Sequence, residues 1–201
     1  MQTIRYTKMD RTQIINAMIE GGILAFPTDT VFGLGSICEK EAMLKVYEAK
    51  GRSFDKPLPM MCNSLEMIER YAYVSEDAKK IIEKFVPGPL TIIFRKREEV
   101  GSHVTNGKDT IGIRVPDDEW ILSIIKDIGK PLMVTSANIS GAGSLLKWQD
   151  VLDEMDGKID GIVMEDARGD AASTIIDVTD GIKILREGPI SLEEIEGALN
   201  E

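Results

Sequence analysis

Histidine and cysteine are scarce in this chain of 201 residues. There is one histidine, His103, and there are two cysteines, Cys38 and Cys62, which lie far apart and in no metal-binding spacing. A single histidine disfavours a Ser-His-Asp triad and a histidine-rich metal site. Two separated cysteines provide no disulfide framework, which is typical of the reducing cytosol. We therefore expect a cytoplasmic protein.

The chain also lacks a long apolar run and an N-terminal secretory sequence. No apolar segment approaches the roughly 18–20 residues of a membrane span. The first six residues contain no hydrophobic core of a signal peptide. We therefore expect no membrane association. The apolar fraction is 43%, which is ordinary for a globular protein, and the length predicts one domain over residues 1–201.

Positive charge is in deficit, with 24 basic against 34 acidic side chains and a net charge of −10. Such a surface repels phosphate backbones, which disfavours broad nucleic-acid binding. Many of the acidic residues lie within 153–170, which we interpret as a solvated face. Against this background, Lys50, Arg52 and Lys56 form a local cationic cluster that indicates a small anionic ligand. A helix C-terminus would explain Lys50 equally well, but it explains Lys56 poorly.

Short apolar strands alternate with amphipathic helices along the whole chain, without a linker or an internal repeat. This pattern predicts one α/β domain with a mixed, twisted β-sheet flanked by helices, and it does not match a Rossmann fold. Strands are predicted at 3–6, 23–26, 59–62, 90–95, 110–116, 132–135, 161–164, 173–177 and 182–185, and residues 96–108 are predicted as a loop. Predicted helix N-caps are Asp10 (with Gln13), Ser64, Ser75, Asp117 and Ser191 (with Glu194).

Two loops combine hydroxyl groups with glycines directly after buried strands. In residues 25–35, Thr28, Asp29 and Thr30 precede two glycines, which suits a ligand site and equally suits a capped turn. In residues 136–144, serines, an asparagine and glycines would allow backbone amides to approach a phosphate, although a flexible turn has the same composition. No Gly-Lys-Ser/Thr follows, so this is not a Walker loop.

Arg114 lies near the end of a predicted strand, on the same face as Thr110 and Gly112. An arginine in this place is either a ligand clamp or a member of a surface ion pair. The spacing alone leaves both alternatives open.

The order of the short motifs is more specific than any one of them. The chain contains Pro27-Thr-Asp-Thr-Val-Phe-Gly-Leu-Gly35, Lys50-Gly-Arg52, Lys56-Pro-Leu58, Pro87-Gly-Pro-Leu-Thr91, Arg114-Val-Pro116, Ser136-Ala-Asn-Ile-Ser-Gly141, Ser173-Thr-Ile-Ile-Asp177 and Arg186-Glu-Gly188. This order closely resembles the YrdC-type threonylcarbamoyl-AMP synthases, in their short, single-domain form, from about residue 10 to residue 195. The resemblance implies a YrdC-like, RibB-like fold: a twisted mixed sheet around a deep, positively lined central cavity.

The resemblance also implies a nucleotidyltransferase reaction. L-threonine, bicarbonate and ATP would give L-threonylcarbamoyl-AMP and pyrophosphate, with Mg²⁺ delivered together with ATP. The product would serve N6-threonylcarbamoyladenosine formation at position 37 of tRNA through a separate transferase complex, so tRNA and that complex are expected partners. The carboxylate of N-carboxy-threonine would attack the α-phosphorus, and no enzyme nucleophile is needed. Catalysis of this kind is mostly positioning and charge stabilisation.

Site residues follow from the resemblance by position. Lys50, Arg52, Ser136 and Asn138 match the family's signature tetrad and are the expected catalytic residues, which hold the triphosphate. The expected ATP site adds Lys56, Ser144 and Arg186. The expected threonine site consists of Thr28, Thr110, Arg114 and Ser173, with Thr110 beside Arg114 and with glycines of residues 25–35 allowing a close approach. No metal ligand is expected from the chain itself.

Three positions depart from the family pattern. Phe32 stands where tyrosine is frequent, Met61 stands where several members have histidine, and Glu187 stands where proline is usual. A paralogous branch, the YciO type, has the same fold but looks degenerate at the tetrad. The alternative is therefore a YciO-like protein that binds RNA or nucleotide without this activity. Retention of all four tetrad positions favours the synthase.

Overall fold

One eleven-stranded mixed β-sheet organises the computed structural model, which describes residues 2–200. The strands are β1 Ile4–Tyr6, β2 Leu24–Phe26, β3 Gly33–Ile37, β4 Met60–Met61, β5 Ala72–Tyr73, β6 Leu90–Lys96, β7 Thr110–Arg114, β8 Leu132–Ser136, β9 Gly161–Val163, β10 Thr174–Asp177 and β11 Lys183–Arg186. The helices are α1 Arg11–Ile19, α2 Lys40–Lys50, α3 Leu65–Tyr71, α4 Glu76–Phe85, α5 Ser102–Thr105, α6 Glu119–Ile128, α7 Trp148–Met155 and α8 Leu192–Leu199. The predicted mixed α/β fold with flanking helices is confirmed.

The strand order is β1-β9-β2-β3-β8-β4-β7-β6-β10-β11, with β5 paired to β6 beside this path. The pairs β1/β9, β2/β9, β4/β7 and β6/β10 are parallel, and the remaining pairs are antiparallel. Segments far apart in the chain therefore become neighbours in the centre of the sheet. The end of β8 meets the start of β3, and the end of β7 meets the start of β6.

Residues 33–37 form a fully buried strand, whereas the sequence analysis treated this segment as part of a loop. The segment contains two glycines and a serine, which weaken strand propensity, but hydrogen bonds to strands on both sides stabilise it. A Cβ atom on Gly33 would lie 3.3 Å from the Phe26 ring, and one on Gly35 would lie 2.9 Å from it. Both glycines therefore allow the Phe26 ring to pack closely against this strand.

The helix starts match the predicted capping in three places. Ser64 and Ser75 accept from backbone amides of their helices, and Ser191 forms a capping box with Glu194. The predicted capping box at Asp10 is wrong, because its carboxylate accepts from the backbone amide and hydroxyl of Thr7 in the preceding turn.

Two further corrections concern residues 96–128. The cap of α6 is Asp118, not Asp117, and it accepts from two backbone amides of the helix. The short helix α5 lies inside the segment that was predicted as a loop.

The hydrophobic core lies between the sheet and the flanking helices. Phe26, Phe32 and Phe94 are among its largest fully buried side chains. α1 packs against α6, and α4 packs against α8. Within residues 2–200, none of the helices combines the length and the apolar character that a membrane crossing requires.

Candidate active site

A cavity of about 170 Å³ lies where the ends of the central strands meet. Its cationic lining consists of Arg52, Arg114 and Arg186, and none of the described residues that line it is acidic. An apolar wall completes it, with Val31, Phe32, Met60, Met61 and Val134. A chain with a net charge of −10 thus concentrates three positive charges around one space. Such a space attracts an anionic ligand.

The sheet register explains why these side chains converge. Ser136 pairs with Gly33, and Arg114 pairs with Thr91 on β6. Ile175 pairs with both Thr91 and Arg186, which brings the last strand, β11, to the same region. Neighbouring strands lie about 4.8 Å apart, so the row from β3 to β11 forms one continuous wall.

Arg114 is the most deeply held of the three arginines. Its Nε donates to the Gly88 carbonyl at 3.1 Å, one terminal nitrogen donates to Thr30 Oγ1 at 2.6 Å, and the other donates to Asp29 Oδ1 at 2.7 Å. The side chains of Arg114 and Asp29 are only 9% and 10% exposed. Burial lowers the pKa of Arg114, and the Asp29 carboxylate opposes that effect. Arg114 therefore lines the cavity and forms an ion pair that is buried and not at the surface, and its role as a ligand clamp stays a prediction.

A chain of hydroxyl groups continues from Arg114 into the loop at 28–31. Thr30 Oγ1 lies 3.1 Å from Thr28 Oγ1, which donates to the Val31 carbonyl at 2.6 Å. Because the Thr28 proton is used there, the hydrogen between the two hydroxyls comes from Thr30. Thr28 is 2% exposed and lines the cavity, so its hydroxyl holds the loop in shape next to the ligand space.

Gly169 packs directly against this loop from outside. A Cβ atom at this position would lie 2.3 Å from the Thr30 carbonyl oxygen and 2.6 Å from that of Asp29. The neighbouring amide of Arg168 donates to the Thr28 carbonyl at 3.1 Å. The loop is therefore braced by backbone atoms that leave no space for a side chain.

We expect Gly169→Ala to destabilise the fold by about 1–3 kcal/mol, because the added methyl group overpacks against rigid backbone. Gly197→Ala in α8 is the matched control, since a Cβ there meets no atom within 4 Å. The control is expected to be neutral or more stable by about 0.5–1 kcal/mol. Urea unfolding of both variants measures the difference. Equal free energies of unfolding for the two variants would contradict the tight packing at Gly169.

Arg186 and Ser173 form a second fixed cluster. The Arg186 Nε and one terminal nitrogen donate to the Ser173 carbonyl at 3.0 and 2.8 Å. The Ser173 hydroxyl lies 2.8 Å from the hydroxyl of Thr91. Burial lowers the pKa of Arg186 from its usual value. The guanidinium is thus positioned by a neutral acceptor and keeps its charge for a ligand.

Arg52 is also held by neutral acceptors. Its guanidinium donates to the carbonyls of Lys56 and Pro57 at 3.0 and 3.2 Å, and burial lowers its pKa. The ammonium-bearing side chain of Lys56 is exposed and does not contribute to the cavity lining. Of the cationic cluster at 50–56, only Arg52 lines the cavity.

Lys50 lies inside the protein and is 1% exposed. Its Nζ donates to the backbone carbonyls of Ser136 and Asn138. Burial and the nearby charge of Arg52 together lower the pKa of Lys50 to about 8, against the opposing effect of Glu154. Lys50 therefore ties α2 to the loop after β8, and it does not line the cavity in this structure.

Asn138 is buried in the same loop. Its Nδ2 donates to the carbonyls of Ile139 and Ala142 at 2.7 and 2.9 Å. Its Oδ1 has no hydrogen-bond partner among the residues that the structure describes. The side chain folds the loop on itself, while the neighbouring Ser136 reaches the cavity.

Six of the predicted site residues line one cavity: Thr28, Arg52, Arg114, Ser136, Ser173 and Arg186. Lys50 and Asn138 are buried and do not line the cavity, and Lys56 and Ser144 lie in exposed loops. The expectation that Thr110 lies beside Arg114 is wrong. Four residue steps along the strand separate the two by about 13 Å, and Thr110 pairs with Arg95.

The sequence analysis did not assign an individual role in the site to three side chains: Asp29, Thr30 and Thr91. Thr91 pairs with Arg114 across the sheet, and no sequence signal indicates which strands are neighbours. Asp29 and Thr30 were visible in the loop at 28–30, but their bonds to Arg114 join positions 84 and 85 residues apart. Within residues 2–200, no group of three or more His, Cys, Asp or Glu side chains is arranged to hold a metal ion.

The chain is thus a mixed α/β protein whose cationic, hydroxyl-lined cavity at the strand ends favours an anionic ligand. The family model for Sua5, YciO and YrdC, described as "Telomere recombination", matches residues 16–188. The chain therefore belongs to the Sua5/YciO/YrdC family, and the resemblance stated from the motifs is confirmed.

Curated relatives are similar over most of this chain. The chain is 39% identical over 186 residues to "Threonylcarbamoyl-AMP synthase" of Pyrococcus abyssi, which covers 90% of this chain and 55% of that protein. It is 40% identical over 183 residues to "Putative threonylcarbamoyl-AMP synthase" of Methanocaldococcus jannaschii, with 89% and 85% covered. The chain spans about half the length of the Pyrococcus abyssi and Bacillus subtilis relatives (55% and 54%).

Solved structures share the fold. The structure of P. abyssi Sua5 complexed with L-threonine matches with a TM-score of 0.88 and 35% identity, over 98% of this chain and 60% of that chain. E. coli YciO matches with a TM-score of 0.82 over 96% of this chain and 98% of that chain. Its identity of 23% means that this likeness concerns the fold alone.

Proposed function

We propose that this chain is a threonylcarbamoyl-AMP synthase, which makes L-threonylcarbamoyl-AMP and pyrophosphate from L-threonine, bicarbonate and ATP. The observation that carries the proposal is the cavity with three arginines and no acidic lining residue in a strongly acidic chain. The names of the relatives support it, and the P. abyssi Sua5 complex supports L-threonine as a substrate. The YciO-like alternative is not favoured, because its likeness concerns the fold alone.

Threonine would occupy the enclosed part of the cavity, with its carboxylate at Arg114. A space of about 170 Å³ is smaller than the roughly 300–1,000 Å³ of sites for drug-sized ligands, which suits an amino acid better than a nucleotide. Met61 pairs with Arg114 across β4 and β7, and Phe32 is buried beside the same space. This apolar wall would contact the threonine methyl group.

ATP would lie between Arg52 and Arg186, which both line the cavity. Arg52 and Ser136 would contact the triphosphate, and Lys50 would act by holding the loop that carries Ser136. The carboxylate of N-carboxy-threonine would attack the α-phosphorus, and pyrophosphate would leave towards Arg52. The guanidinium groups are fixed by carbonyl acceptors before the ligand arrives, so they stabilise the developing charge without reorganising.

Mg²⁺ is part of this proposal as an ion that arrives with ATP. It would neutralise charge on the phosphates and assist the departure of pyrophosphate. The phosphates and water would supply its oxygen ligands, since no metal ligand is expected from the chain itself. This donor set fits Mg²⁺, which prefers oxygen ligands and keeps several waters.

The product would be used for N6-threonylcarbamoyladenosine at position 37 of tRNA, by a separate transferase complex. A cytoplasmic location suits the two cysteine thiols, which are free in this structure. Contact with tRNA would have to avoid most of the acidic surface.

The test is pyrophosphate release from ATP by the purified chain. Release is expected only when L-threonine, bicarbonate and Mg²⁺ are all present, and chelation of Mg²⁺ is expected to stop it. Mixtures that omit threonine, bicarbonate or protein are the controls, and detection of threonylcarbamoyl-AMP by mass spectrometry identifies the product. Release without threonine, or none in the complete mixture, would contradict the proposal.

A further inference from the structure

The Asp29–Arg114 pair lies at the threonine end of the cavity, yet an ion pair within the protein would normally compete with a ligand. Asp29 itself does not line the cavity, whereas Arg114 and Thr30 do. Asp29 therefore reaches the ligand space only through the guanidinium that it holds. Its place behind Arg114 suggests a supporting function.

The three protein acceptors leave Arg114 with a defined pair of free donors. A guanidinium has five N–H groups, one on Nε and two on each terminal nitrogen. Gly88 takes the Nε donor, Thr30 takes one donor of the first terminal nitrogen, and Asp29 takes one of the second. One N–H therefore remains on each terminal nitrogen. Two such donors match the two oxygens of a carboxylate.

We infer that Asp29 and Thr30 are positioning residues that orient Arg114 so that its two remaining donors receive the carboxylate of the amino acid substrate. This inference rests on the proposed function, since it concerns recognition of threonine. Without its acceptors, the long arginine side chain would populate several rotamers, and ordering it would weaken binding.

The pair also adjusts the charge of the cavity. Asp29 balances Arg114, whereas Arg52 and Arg186 are held by neutral carbonyls. The threonine end therefore carries less net positive charge than the end proposed for ATP. An amino acid that is a zwitterion suits the first, and a polyphosphate suits the second.

Asp29→Asn tests the inference, because the amide keeps an oxygen acceptor but loses the charge. We expect the KM for threonine to rise about tenfold, while the KM for ATP stays within about twofold. Thr30→Val, which removes the hydroxyl acceptor at similar volume, is expected to act in the same direction. A merely structural role would lower the melting temperature without this selective change in KM.

Asp127→Asn is the matched control, since Asp127 forms an ion pair with Arg11 away from the cavity. It is expected to leave both KM values unchanged. Calorimetric titration of threonine into each variant without ATP separates the inference from the proposed function. Weaker threonine binding by Asp29→Asn than by wild type supports the inference even if no pyrophosphate is released, a result that would contradict only the synthase. Unchanged threonine binding and KM in both Asp29→Asn and Thr30→Val would overturn the inference.

Discussion

Arg52→Ala is expected to lose tens- to thousands-fold in kcat/KM for ATP while it remains folded. Removal of a charged contact to a bound phosphate costs about 2–5 kcal/mol. Arg52 lines the cavity, and its protein partners are two carbonyls of its own loop, so the fold does not depend on it. Steady-state pyrophosphate release measures the activity, and thermal unfolding checks the fold.

Lys56→Ala is the control in the same loop. Its side chain is exposed and lies outside the cavity lining, so activity is expected to change by no more than a few-fold. This control also tests the predicted role of Lys56 in ATP binding. Full activity in Arg52→Ala would contradict the assignment of the phosphate end, whereas an equal loss in Lys56→Ala would support the predicted role of Lys56 in ATP binding.

Lys50→Ala is expected to lose both stability and turnover. The motif suggests a contact with phosphate whose removal leaves the fold intact, but the structure shows a buried side chain that donates to Ser136 and Asn138. Each buried carbonyl left without a donor costs about 1–3 kcal/mol, so a total loss of roughly 2–6 kcal/mol is expected for the two. Urea unfolding measures it, with Arg52→Ala as the comparison. Unchanged stability in Lys50→Ala would show that the two carbonyls find other donors.

The pH dependence of Lys50 has a definite sign. Its pKa in the folded protein is lowered from 10.5 to about 8. Between these values the unfolded chain keeps the proton and the folded protein loses it, so the contribution of Lys50 to stability rises with pH. Relative to Lys50→Met, the wild type should therefore gain stability from pH 8 upwards. Its turnover should fall over the same range, because the charge near the phosphates is lost.

The sequence was sufficient for features that depend on neighbours in the chain. Gly51 and Gly129 end their helices in left-handed conformations, which glycine adopts without a Cβ clash. The caps at Ser64 and Ser75 were equally local. The predicted helix cap at Asp10 was wrong because a carboxylate can accept from the turn before it as well as from the helix after it. Thr7 provides two donors in that turn, its amide and its hydroxyl.

Features that depend on strand order could not be predicted in this way. Thr110 lies on the same strand as Arg114, and Thr91 lies on the neighbouring strand. Only the register shows that Thr91 is the residue paired with Arg114. The motifs identified Arg52, Arg114 and Arg186 as a group, because their order along the chain is characteristic of the family. Among their partners are four backbone carbonyls, those of Lys56, Pro57, Gly88 and Ser173, which carry no side-chain signature in the sequence.

The double attachment of Lys50 has a consequence for how the protein opens. Besides its two side-chain bonds, its own carbonyl accepts from the amide of Ser140 at 2.9 Å. The end of α2 and residues 136–140 are thus joined by main chain and side chain together, and local opening of one requires opening of the other. Ser140 is an exposed residue. Its amide is nevertheless expected to exchange its hydrogen with solvent no faster than this shared unit unfolds.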